Sequence, residues 1–191
     1  ITKDQQEALD DVGQAMHRAE EMILNYLNLS RIERGELQVR ARPLHVENDV
    51  VRPLLSGFRG RLESRGMRIE VEMADDLFVQ ADPSLLQIVY DNLLNNAIKY
   101  GRDGGRVRIT GRRRGGKAEL HVWNDGPGVP PDKVDKLFGK FYRLQNPKEK
   151  ERGTGLGLFI TREIVQRHGG DIRAESLPDR SIDFVFTLPV P

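Results

Sequence analysis

The chain has no cysteine among its 191 residues. That excludes disulfides, thiolate metal sites and a thiol nucleophile, and it suits a reducing compartment. Long apolar runs are also missing. Nothing approaches the roughly 20 residues that span a bilayer, and no leader segment is visible. The chain itself is therefore expected in the cytoplasm, although a longer parent could carry a membrane anchor. Charge of one sign is not in excess: 30 Lys and Arg against 29 Asp and Glu leave a net charge of +1. Nothing global draws the chain to nucleic acid or to a membrane surface. Aromatic residues make up only 6%, and none interleaves the basic run Arg112, Arg113 and Arg114. That run reads as a solvent-facing strand end and not as a nucleic-acid patch. A starting methionine is absent too. The opening Ile1-Thr2-Lys3-Asp4 leads us to expect a fragment of something longer.

What is present is a soluble, mixed pattern. Residues 3 to 34 contain no proline and one glycine, Gly13. Leu9, Val12, Met16, Ala19, Ile23 and Tyr26 step by three and four, the seam of a coiled coil or bundle. Ala8, Ala15, Met22 and Leu29 add a second row at seven-residue spacing. One helix cannot bury so wide a face, so a partner helix is expected, from a second copy or from a missing segment. The alternative is a helix packed on its own domain. Gly35 suits the helix stop. Beyond it, 37 to 41 alternates like a strand, 46 to 64 reads as a helix, and 68 to 73 and 77 to 81 read as strands. Asp82 and Pro83 form a cap and first turn for a helix that reaches Tyr100 and stops near Gly101. A hairpin is expected around Gly115 and Gly116, joining 106 to 114 with 117 to 123. Residues 130 to 153 are polar and poorly periodic. A helix over 156 to 168 and a closing strand pair, 171 to 176 with 181 to 188, complete the pattern. The expected class is α+β: helices on one face of a mainly antiparallel sheet.

Three segments carry the chemistry. The first is the helix ending Asn92-Leu93-Leu94-Asn95-Asn96-Ala97-Ile98-Lys99-Tyr100. Asparagine is a poor interior residue of a helix, because its side chain competes for backbone hydrogen bonds. Asn92, Asn96 and Lys99 nevertheless share one face, which aims carbonyl oxygens and an ammonium together. That combination suits a metal and an anion. The second is Asn124-Asp125-Gly126-Pro127-Gly128, at the end of a strand, where glycines admit a ligand and Asp125 offers an acceptor. The third is Gly153-Thr154-Gly155-Leu156-Gly157-Leu158, entering a helix whose free amides favour phosphate. Neither glycine segment has the dinucleotide-binding or Walker spacing.

In this order the segments resemble the nucleotide-binding boxes of sensor histidine kinases, members of the superfamily shared with gyrase, MutL and a heat-shock chaperone. Residues 92 to 100 resemble the N box, and 124 to 128 and 153 to 158 resemble the two glycine boxes. Residues 137 to 143, Leu-Phe-Gly-Lys-Phe-Tyr-Arg, resemble the F box. The resemblance implies the two-layer α/β sandwich of the gyrase, chaperone, histidine kinase and MutL (Bergerat) type over residues 36–191. It implies that residues 1–35 are the second helix of a dimerisation hairpin. It also implies ATP and Mg²⁺ as ligands. Asn96 would hold the metal, Asn92 would lie beside the triphosphate, and Lys99 would meet a phosphate. Tyr100 would pack on adenine, and Asp125 would accept from the adenine amino group. Gly126 and Gly128 would let the base approach. Residues 130 to 153 would form a lid anchored by Phe138 and Phe141, with Arg143 reaching the γ-phosphate. Gly153, Thr154, Gly155, Leu156 and Gly157 would line the phosphates. The competing readings are plain packing for Tyr100, Phe138 and Phe141, and a solvated lid charge for Arg143. The run 148 to 152 reads as a solvated loop.

The expected activity is protein-histidine kinase, with Asn92, Lys99 and Arg143 as its catalytic set. In ATP-hydrolysing relatives a glutamate base stands four residues before the metal-binding asparagine, where this chain has Asn92. An amide accepts no proton usefully at neutral pH, so transfer to an external histidine is expected over hydrolysis. His17, His45, His121 and His168 do not match the acceptor motif, so the acceptor should lie in a missing first helix. Expected partners are a response-regulator receiver domain and, in the parent protein, a second copy. Two alternatives stand beside this: a non-catalytic nucleotide-binding regulatory module, and a hydrolysing ATPase. Transfer to a supplied acceptor helix separates the first, and steady ADP production separates the second.

Overall fold

A computed structural model of the chain describes residues 2–144 and 153–191, with the backbone alone for several residues between 3 and 18, His17 among them. The expected solvated loop at 148 to 152 lies outside the described residues. The first helix, α1, spans Lys3–Glu33. Thr2 caps it reciprocally with Gln5: Thr2 Oγ1 accepts from Gln5 N, and Gln5 Oε1 accepts from Thr2 N. Gly35, at φ +69°, turns the chain away. The seam residues are bare, with Leu9 57%, Met16 69% and Ile23 61% exposed, whereas Leu29 and Ile32 in the last turns are buried.

Residues 37 to 41 do not join a sheet. Leu37 is buried in alternation with exposed neighbours, but no strand lies alongside to complete a ladder. Pairing begins with β1, Arg42–His45, antiparallel to β3, Phe78–Ala81. The helix expected over 46 to 64 starts as one wide turn, Val46–Val51, in which Arg52 N donates to Glu47 O. Then α2 runs Arg52–Ser64. Pro53 has no N–H to give to the preceding turn, which accounts for the change of pitch there.

The main sheet holds β2 (Arg68–Met73), β4 (Arg106–Arg114), β5 (Lys117–Asp125), β6 (Ile172–Leu177) and β7 (Ser181–Pro189), in the order β2-β4-β5-β7-β6. Only the β2–β4 pair is parallel. Helices α3 (Pro83–Tyr100) and α5 (Gly157–Arg167) pack side by side on the sheet, with α2 beside α3. A short α4, Pro131–Val134, and one tight turn to Phe138 lie between β5 and the segment outside the description. Asp82 caps α3, accepting from Ser84 N and Leu85 N. Leu86, Val89, Leu93, Leu94 and Ala97 face the core at 0–1% exposure. Burying each large side chain is worth roughly 1.5–3 kcal/mol. The core thereby fixes α3 against the sheet and leaves its asparagine face toward α5.

The far face of the sheet carries cross-strand ion pairs. Glu119 is gripped by Arg112 and Arg114 at 3.1 Å each. Arg112 and Arg114 are thus strand partners of a buried carboxylate, beyond the solvent-facing role expected of them. His121 Nδ1 lies 3.0 Å from Asp183 Oδ2, and its Nε2 lies 3.6 Å from Glu119 Oε1.

Candidate functional site

A cavity of about 980 Å³ opens where α3, the N-terminus of α5, the end of β5 and the α4 segment meet. Asn92, Asn96, Lys99 and Tyr100 line it from α3, and Gly153, Thr154, Gly155 and Gly157 from the approach to α5. Gly128 and Arg143 complete the set of expected residues on its wall. Gly13 and Glu21 of α1 lie on the same wall.

Asn92 joins α3 to the start of α5. Its Nδ2 donates to Gly157 O at 3.1 Å and to Thr161 Oγ1 at 3.3 Å. A Cβ at position 157 would sit 3.3 Å from Asn92 Oδ1, so glycine allows this approach. Lys99 Nζ lies 5.3 Å from the Tyr100 ring centre and within 3.3 Å of where a Gly153 Cβ would be. Gly155, at φ +70°, is pressed against the backbone of Phe141, itself at φ +61°. No side chain caps the start of α5, so its amides point toward the cavity without an internal anion.

Four expected residues stand back from the wall. Phe138 is buried and packs edge-on against Phe184 at 6.3 Å, and Leu156 is fully buried beneath α5. Both act as packing. Gly126 makes room for its neighbours, since a Cβ there would meet Tyr100 O at 2.9 Å and Asn124 Nδ2 at 3.1 Å. Asp125 also stands off the wall. It occupies the outer register of β5, with Glu119 and His121, and its Oδ2 accepts from Arg106 N at 2.9 Å. Its carboxylate is directed away from the cavity, where an adenine contact would need it. Asn124, one residue earlier, is the inward side chain. It is 1% exposed and lines the cavity. The signal was available in the alternation Ala118, Leu120, Val122, Asn124, all on the helix-facing side.

Arg65, at the end of α2, was also not singled out. It donates to the carbonyls of Ile98, of Lys99 at 3.1 Å and of Gly101 at 2.9 Å, and it pairs with Asp103. These are the orphan carbonyls at the C-terminus of α3, so one guanidinium holds the turn that carries Lys99 and Tyr100. No periodicity or motif in the sequence marks that reach.

The three described histidine side chains are each occupied elsewhere. His45 caps Asn48 N, and His121 sits on the far face of the sheet. His168 accepts from Asp82 N at 3.0 Å through Nε2 and donates to Ile164 O at 2.8 Å through Nδ1. The side chain of His17 lies outside the described residues.

The sandwich and its cavity define a nucleotide-binding domain, and the chain belongs to the histidine kinase-, DNA gyrase B- and HSP90-like ATPase family, whose model matches residues 81–191. Among curated relatives, the adaptive-response sensory kinase SasA of Trichormus variabilis is 37% identical over 139 residues, 72% of this chain and 34% of that protein. The alginate biosynthesis sensor protein KinB of Pseudomonas aeruginosa is 30% identical over 183 residues, 95% of this chain and 30% of that protein. Of solved structures, the catalytic domain of histidine kinase ThkA aligns with a TM-score of 0.70 at 29% identity, covering 79% of this chain and 96% of that one. The chain spans about a third of the length of these curated relatives. Among the described residues, no helix is long and apolar enough to cross a membrane.

Proposed function

We propose that this chain is the ATP-binding catalytic region of a sensor histidine kinase, holding Mg-ATP for γ-phosphoryl transfer to a histidine on another helix. The observation that carries the reading is convergence: Asn92, Asn96, Lys99, Arg143 and the glycines of residues 153 to 157 meet around one cavity. Similarity to the sensory kinase SasA and the sensor protein KinB supports it.

In this reading the adenine end lies toward β5 and β7 and the phosphates lie toward α5. Asn96 holds Mg²⁺. Its side chain lines the cavity and has no hydrogen bond among the described residues, which suits a hard oxygen donor. The described residues contain no cluster of three His, Asp or Glu side chains able to hold a metal. A single amide fits the habit of Mg²⁺ to take its remaining ligands from phosphates and water. When bound, the metal supplies charge neutralisation at the phosphate oxygens. Lys99 and Arg143 bring further positive charge to the phosphates. The α5 amides and Thr154 cradle them, and the Tyr100 ring borders the base. Asn92 supplies no base for water. Catalysis here is positioning and charge neutralisation.

Residues 1–35 form the second helix of a dimerisation hairpin and residues 36–191 the catalytic domain. The bare seam of α1, Leu9, Met16 and Ile23 included, supports pairing with helices of the parent, which would be a homodimer at the cytoplasmic side. The phosphoryl group then passes to an aspartate of a response-regulator receiver domain.

The test is to incubate the chain with γ-labelled ATP, alone and with the histidine-bearing helix of its parent. Acid-labile label is expected on the supplied helix and none on the chain. Binding without transfer supports a non-catalytic module, and label on His17 contradicts the assignment.

A further inference from the structure

We infer that Arg65 is a positioning residue for the nucleotide: by occupying the carbonyls that end α3, it holds Lys99 and Tyr100 at the cavity. The inference rests on the reading that this cavity binds a nucleoside triphosphate.

The guanidinium is fully committed. Its Nε donates to Asp103 Oδ1 at 2.7 Å. One terminal nitrogen donates to Ile98 O and, at 3.1 Å, to Lys99 O. The other donates to Gly101 O at 2.9 Å and lies 2.7 Å from Asp103 Oδ1. A guanidinium has five N–H donors, and these contacts engage all of them. Arg65 lines the cavity, yet its donors are spent on the protein, so it acts on a ligand through α3.

The backbone makes the same connection. Arg65 O accepts from Gly104 N at 2.9 Å, and Gly66, at φ +60°, turns the chain from α2 alongside Gly104. Gly101 is wedged in place, since a Cβ there would lie 2.3 Å from Ala97 O and 2.6 Å from Met67 Cε. On the other side Arg102 N donates to Asp125 O at 3.0 Å. The turn after Tyr100 is thus held between the end of α2 and the end of β5.

Electrostatics give the grip its purpose. The last turn of a helix leaves carbonyls at the negative end of its dipole. A lysine in that turn readily caps them itself. With the carbonyls of Ile98, Lys99 and Gly101 engaged by Arg65, that competition is removed. Lys99 Nζ instead lies 5.3 Å from the Tyr100 ring centre and beside Gly153. The guanidinium charge also offsets the negative helix end near an anionic ligand.

The shape of the side chain matters more than its charge. A lysine at position 65 could pair with Asp103 but lacks the planar fork that spans three carbonyls. The pair with Asp103 is minor, because Asp103 is 79% exposed and ion pairs in water contribute little.

Calorimetric titration of Mg-ATP into wild type, R65Q, R65K, D103N, K99A and R65Q/K99A tests this. R65Q should bind ATP about tenfold more weakly than wild type, and R65K nearly as weakly. D103N should stay within about twofold of wild type. Because Arg65 acts through Lys99, R65Q should cost about threefold or less once Lys99 is gone. A general loss of structure would cost the same in both backgrounds. Should R65Q fail to fold, R65K and R65K/K99A carry the same comparisons. Each of three results overturns the assignment: wild-type affinity in R65Q or R65K, a loss in D103N equal to that in R65Q, or equal losses with and without Lys99. Wild type that binds no Mg-ATP overturns the nucleotide reading, and this inference with it.

Discussion

The side chain at position 92 is useful because it can donate. Asn92 Nδ2 binds Gly157 O and Thr161 Oγ1, and so joins the asparagine face of α3 to the first turn of α5. A carboxylate there would face the Gly157 carbonyl with no proton to offer. N92D is nearly isosteric, so its cost isolates the lost donor. It should lower stability by about 1–3 kcal/mol, because a carbonyl and a carboxylate are left opposed in a part-buried site. Equilibrium urea unfolding checks this as a fall in midpoint with an unchanged slope. In the proposed reading the same substitution should weaken ATP binding, since the start of α5 loses its tie to the helix bearing Asn96. The amide proposed to set this site apart from a hydrolase's thus also joins two packed elements.

Among the elements, the far face of β5 and β7 shows a consequence for pH. A hydrogen bond to Asp183, opposed by partial burial and aided by the charges of Asp183 and Glu119, raises the His121 pKa above its ordinary value. Burial alone would raise the Glu119 carboxyl, but hydrogen bonds from Arg112 and Arg114 prevail and hold it low. A raised histidine adds stability that is complete below its unfolded pKa, about 6.5, and is lost as pH rises through the folded value. H121Q should therefore be destabilised by about 1 kcal/mol at acid pH, where cross-strand charge pairs have their usual worth. The deficit should shrink toward zero in alkaline solution. Thermal melts of both proteins at pH 6 and pH 9 measure it. Local signals made much of this layer readable. Asp82 and Pro83 open α3, Gly101 follows its last residue, and Gly115 and Gly116 turn the β4–β5 hairpin, all as the sequence indicates. Residues 37 to 41 alternate as a strand does, yet a ladder needs a neighbour, and periodicity says nothing about neighbours. Of the site, the three loaded segments were legible because each motif is short and contiguous. At the end of β5 two signals diverge: the carboxylate of Asp125 is the stronger acceptor, while the period of two turns Asn124 inward. Arg65 acts across more than thirty residues of sequence, and local pattern cannot report such a reach.

In the whole molecule, the end of α1 is tied to the sandwich by hydrogen bonds and an ion pair. Arg167 of α5 donates to Ile32 O at 3.3 Å and Leu37 O at 3.2 Å, and Lys140 pairs with Glu33. The arm therefore touches both α5 and the stretch after Phe138, while the seam residues Leu9, Met16 and Ile23 are exposed. Such an arrangement suits a domain that receives its acceptor on a separate helix. Under the proposed function, capture of ATP is separate from its use: the site would hold Mg-ATP, and position 92 offers an amide in place of a base for water. The most direct measurement is calorimetric titration of the chain with Mg-ATP, followed over hours by assay for ADP in the same sample. The account predicts saturable binding of one nucleotide per chain with ADP no higher than in buffer alone. Absence of binding, or steady release of ADP, would contradict it.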